Sequence, residues 1–194
     1  MNMKFLKRVL AATLAATLMV APALTAGATG EAVTPTSDVK TASSAGGATT
    51  TVAGAYLLKE TAGVAFRSDA GTIKASAGLA ANESAFARVY DITRAKSGAA
   101  YASADAAATA LGGVVLTGTN IDFGKMTAGK FSRLDRSVAV PCTIGVKNAN
   151  GRRLVVVAVY PGGEVQIFED QDSNPNTITV NVTGGLAAYF VVAI

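Results

Sequence analysis

The sequence predicts a mainly β protein: an antiparallel β-sandwich of Ig-like type with one short Ala-rich helix, preceded by a signal peptide and a flexible linker. Three observations carry this. The second half is a series of short apolar or alternating runs, punctuated by Asn-Gly, Pro-Gly and Gly-Gly turns. One segment, ASADAAATALGG, has helical composition with matching end signals. The N-terminus has the basic head, short apolar middle and small-residue end of an export signal.

The signal spans residues 1–28. Lys4, Lys7 and Arg8 precede an apolar run to about Leu24, and Ala26-Gly27-Ala28 offers the cleavage site. The run is short for a membrane span, so the mature chain is expected to lack one. The chain has 17 Lys and Arg against 13 Asp and Glu, net +4. Three of those bases lie in the signal, which leaves 14 against 13 and a net charge of +1. No basic surplus remains to attract nucleic acid. The expected location is outside the cell, secreted or at the cell surface.

Residues 29–52 are rich in Ala, Thr, Ser and Gly and have no apolar period. They read as a linker, or as an arm that adds as a strand to a neighbouring subunit. The folded domain is expected over 53–194. AYLLKE and GVAFRS look like short strands and GTIKASAGL like a weaker one. In SAFARVYDITRA, Phe86, Arg88, Tyr90 and Ile92 alternate with Ala87, Val89, Asp91 and Thr93, which favours a strand, and its aromatics Phe86 and Tyr90 are expected to pack in the core. In the helix, Ser103 can cap the N-terminus, Asp105 suits the first turn and Gly112 can take the left-handed position after the C-terminus.

GVVLTGTNIDFG and SVAVPCTIGV follow as strands, the second with Val138, Val140, Cys142, Ile144 and Val146 on one face. Asn150-Gly151 signals a two-residue hairpin. That register would pair Val146 with Val155, Ile144 with Val157 and Cys142 with Val159. Cys142, the single cysteine, then behaves as a small buried hydrophobe. Pro141 lacks an N–H and places its strand at an edge or a bulge. The run Leu154–Val159 shows no alternation and reads as a central strand covered on both sides. Pro161-Gly162 turns the chain into EVQIFED, and TITVNVT and LAAYFVVAI close it.

The order of these pieces, in ASADAAATALGGVVLTGTNIDFG, VAVPCTIGVKNANGRRLVVVAVYPGGEVQIFE and TITVNVTGGLAAYFVVAI, resembles the small C-terminal β-sandwich modules of secreted and cell-surface proteins of Firmicutes. RLVVVAVYPGGEVQIFE stands where those modules carry a VxVLHY…DGxWE hairpin, and AAYFVVAI where they end in SPFAIV. The Trp, the His and the Ser-Pro of that pattern are missing here. The resemblance covers roughly residues 100–194. It implies an exported, surface-associated β module and transfers no catalytic residue.

The chain has no histidine, which removes Ser-His and Cys-His catalysis and every His metal site. With neither Trp nor a phosphate-binding glycine motif, nothing points to an enzyme or a resident cofactor. The best metal candidate is DQDSN, where Asp170, Asp172 and Asn174 put oxygen ligands at alternate positions as calcium requires. Pro175 and Asn181 stand where the calcium loop needs Gly and Glu. KFSRLDRS groups Lys130, Arg133 and Arg136 around Asp135 and reads as a solvated loop. The expected function is a non-catalytic structural or adhesive module with a protein, cell-wall or glycan partner. The alternatives are an assembly subunit acting by strand addition and a weak glycan- or calcium-binding module.

Overall fold

Alternation along each strand assigns it one face or two, and the computed structural model, which describes residues 42–43 and 55–194, is built on that division. In chain order the elements are β1 (Ala42–Ser43), β2 (Ala55–Leu57), β3 (Gly63–Phe66), α1 (Ala70–Ser76), β4 (Glu83–Asp91), α2 (Gly98–Ala110), β5 (Val114–Thr127), β6 (Lys130–Arg133), β7 (Ala139–Gly145), β8 (Leu154–Val159), β9 (Val165–Glu169), β10 (Thr177–Thr183) and β11 (Gly185–Ala193). They form two sheets, ordered β1-β2-β3-β7-β10 and β4-β5-β11-β8-β9, with β6 added beside β5. Every pairing is antiparallel except β1 with β2. The protein is therefore mainly β, with two short helices. The signal at 1–28 lies outside the described residues, as does 29–52 apart from β1. No helix among the described residues is long and apolar enough to cross a membrane.

Strands of strict period two give one face to a shared core. β7 contributes Val140, Cys142 and Ile144, and β10 contributes Ile178, Val180 and Val182. From the other sheet come Ala87 and Val89, Ile121 and Phe123, Val156 and Ala158, and Tyr189 and Val191. Cys142 is fully buried between Phe66 and Val180, and burial pushes its thiol far above its ordinary value. The stripe read from the sequence is thus correct. Tyr189 brings a hydroxyl into this core, where it accepts a 3.0 Å hydrogen bond from the Thr183 N–H.

β8 differs because all six of its residues are buried. Val156 and Ala158 face the shared core, while Val155, Val157 and Val159 face a second cluster with Phe190, Val192, Tyr101, Ala104 and Ala108. Helix α2 covers that outer face. Its alanines let the helix approach the sheet, and Tyr101 meets Phe190 edge-on at 4.7 Å. The expectation of a central strand covered on both sides is met, with β11 and β9 as the neighbours of β8.

The hairpin expected at Asn150-Gly151 does not form. Both residues adopt the positive φ that a tight turn needs (55° and 70°), but β7 and β8 belong to different sheets. The turn chemistry acts locally and carries the chain across, held by Arg152, which donates to the carbonyls of Ala149 and Asn148. The physical reason is the mismatch of the two strands. One-faced β7 pairs with one-faced β3 and β10, and two-faced β8 must enter the sheet that has a helix on its back. Pro141 likewise lies in a central strand. Its carbonyl accepts from the Arg67 N–H at 3.0 Å, so its missing N–H points to the same side, at the last rung where β3 runs out.

GTIKASAGL is a helix, not a strand. The Asp69 carboxylate accepts the Thr72 N–H at 2.9 Å, and Gly78 follows the C-terminus at φ 62°. Helix α2 starts earlier than expected, with Ser97 as its N-cap. Ser103 is interior, its hydroxyl donating to the Ala99 carbonyl. Gly112 takes the left-handed position as expected, at φ 71°. Among the described residues, one buried side-chain polar atom has no partner, the Thr117 hydroxyl. Replacing Thr117 with the isosteric Val is expected to raise unfolding stability by about 1 kcal/mol. Urea denaturation tests this, and a loss of stability would count against it.

Candidate functional site

The acidic loop is folded onto its own chain. The Asp170 carboxylate accepts the N–H groups of Asp172 (3.0 Å) and Thr179 (2.9 Å), and the Asn174 side chain accepts the Asn176 N–H. Asp172 accepts the Asn174 N–H and the hydroxyls of Thr177 and Thr179. Burial raises the Asp170 pKa against the pull of those N–H groups. Arg152 and Arg153 line the same shallow depression. A calcium ion at Asp170, Asp172 and Asn174 would have to displace most of these bonds beside two guanidinium groups. Among the described residues, no group of three or more His, Cys, Asp or Glu is placed to hold a metal.

A different set of residues is brought together on the outer face of the helix-bearing sheet. Helix α2 covers β8, β11 and the start of β5, and leaves β4, the end of β5 and β6 open. In β4 the small residues Ala87 and Val89 enter the core, so Phe86, Arg88 and Tyr90 point out. The Ala128-Gly129 turn, with both residues at positive φ, folds β6 back along β5 and places Phe131 opposite Met126. The Phe131 ring then lies over Gly124 and packs 5.6 Å from Phe86. The Arg88 guanidinium sits 4.4 Å above the Phe131 ring.

Asp122 lies in the middle of this surface, opposite Arg88 on β4 and Leu186 on β11. Asp122 is 4% exposed, and its carboxylate is clamped by Arg133, whose Nε and Nη2 donate at 2.8 and 3.1 Å. That pairing raises the Arg133 pKa. Burial and then the Asp122 charge push the Tyr90 hydroxyl up. At one margin Lys125 donates to Glu83 at 2.6 Å and lowers the Glu83 pKa. Arg88 has no ion pair among the described residues. A shallow groove of about 360 Å³ adjoins the face at Asn120 and Leu186 and runs under the first turns of α2 to Gly162 and Gly163.

Sequence reasoning placed Phe86 and Tyr90 in the core and read Lys130, Arg133 and Arg136 as a loop. Lys130 and Arg133 are the ends of strand β6, while Arg136 stacks on Tyr160 at 3.7 Å and pairs with Glu164. A signal for the face was present, because an arginine at the centre of an alternating stripe argues that its stripe points to solvent. No protein-family model, no curated protein sequence and no solved structure matches this chain.

Proposed function

We propose that the chain is a secreted or cell-surface, non-catalytic Ig-like β-sandwich module that works by contact, as a structural or adhesive unit, and that the open β4–β5–β6 face is its contact surface. The observation that carries this reading is the arrangement of Arg88 on Phe131. A half-buried guanidinium stacked on an aromatic ring, with no ion pair among the described residues and Phe86 and Tyr90 beside it, has the composition of an interface anchor. Two antiparallel sheets that share one core support the sandwich. The basic and apolar N-terminus supports export.

The test uses the purified mature chain on the surface of the cells that produce it. Arg88→Glu is expected to lower surface retention at least about tenfold, the effect of losing one anchor residue. Thermal stability should fall by no more than about 1 kcal/mol, from the lost stacking on Phe131 and the carboxylate placed across from Asp122. Equal retention of wild type and variant would remove the face from consideration. Recovery of uncleaved chain only from inside the cells would remove the secretion reading.

A further inference from the structure

β9 and β10 are the last strands of their sheets, and the chain treats their outer edges differently. In an antiparallel pair the N–H and C=O of one residue point to the same side. On β10 the outward residues are Thr177, Thr179, Asn181 and Thr183, since Val146 and Asn176 form a bonded pair with β7. Most of these outward donors are taken. Thr177 N–H donates to the Asn174 carbonyl (3.1 Å), Thr179 N–H to Asp170 (2.9 Å) and Thr183 N–H to the Tyr189 hydroxyl (3.0 Å). The Thr179 carbonyl accepts from Gln171 at 2.9 Å. The acidic loop is thus the guard of one sheet edge.

β9 has no such guard. The Tyr160 N–H donates to the Glu164 carbonyl at 2.9 Å, which sets the phase: Glu164, Gln166 and Phe168 aim at β8, and Val165, Ile167 and Glu169 aim away. The backbone groups of these three residues have no partner on the outer side among the described residues. β9 has no proline, no lysine and no bulge, the usual devices that keep an edge from pairing. The turn before it is Gly162-Gly163, which adds no side chain, and the loop after it folds onto β10.

We propose that β9 pairs antiparallel with β9 of a second copy of the chain, joining two helix-backed sheets into one across a two-fold axis. The outward residues are spaced evenly about Ile167, so the edge is complementary to itself. Ile167 faces Ile167 of the second copy, and Val165 faces Glu169. Each of these pairs exchanges two backbone hydrogen bonds. Glu164, already neutralised by Arg136 at 2.7 Å, faces Asp170, so the register brings no two unpaired charges of one sign together.

Sedimentation equilibrium of the full mature chain tests this. Wild type and Glu169→Ala are expected to dimerise with the same Kd, because the alanine keeps the outward N–H. Glu169→Pro removes that N–H without touching the ladder to β8 and should raise Kd at least about tenfold. Hydrogen exchange on the wild type is a second readout that needs no variant. The amides of Val165, Ile167 and Glu169 should gain protection as concentration rises. A chain that stays monomeric, a dimer indifferent to the proline, a dimer lost on Arg88→Glu or on deleting residues 29–41, or amides unprotected at every concentration would each overturn the proposal.

Discussion

Phe190→Ala is expected to lower unfolding stability by about 3–5 kcal/mol, the range for a fully buried aromatic truncated to a methyl group. Phe190 is 0% exposed and stands under helix α2, where Tyr101 meets its ring. The contact matters more than one aromatic usually does, because the other buried residues of α2 are Ala104 and Ala108. A helix of this length and composition is marginal alone and depends on its docking surface. Gly118 lies beneath the ring, and a Cβ there would be 2.7 Å from it, so the cavity has a glycine for its floor and collapses poorly. The measurement is chemical denaturation together with amide exchange in α2. Protection of α2 should fall by more than that of β7 and β10. A loss below about 1.5 kcal/mol, or a uniform loss of protection, would show that the helix is held by something else.

Gly124→Ala is expected to cost about 3 kcal/mol and to dismantle the contact face at the same time. A Cβ at this position would lie 2.3 Å from the Ser132 carbonyl oxygen and 2.5 Å from the Phe131 ring. The first neighbour is backbone across the β5–β6 hairpin and cannot rotate away, so the hairpin must open, at the upper end of what overpacking costs. Phe131 then leaves Phe86 and Arg88. Surface retention should fall as it does for Arg88→Glu, but with a clearly larger loss of stability. A stable Gly124→Ala protein that binds normally would mean that Phe131 takes no part in the contact.

Much of the scaffold was legible because burial on one face or two leaves a direct mark on sequence. The alternation in β7 and β10 marked one buried face, and the unbroken run in β8 marked two. Helix α1 was missed because its sequence buries a single residue, Ile73, and its identity rests on the Asp69 cap and Gly78 rather than on a period. The pairing of β7 with β8 was misread because Asn-Gly determines the bend of the chain and not what lies beyond it. The contact face was missed for a related reason. Aromatic residues in a strand carry no label of direction, and only the arginine among them did.

Composition and periodicity alone determined the mainly β character, the buried thiol, the doubly covered strand and the C-terminal end of helix α2, since each follows from local solvation and backbone preference. The tertiary structure decided which strands are neighbours, that Asp170 and Asp172 seal an edge instead of standing free, and that Arg88, Phe131 and Asp122 share a surface. Those outcomes depend on contacts between residues far apart in the chain, such as Arg88 with Phe131 or Thr143 with Thr179, whose free energies no local window of sequence contains.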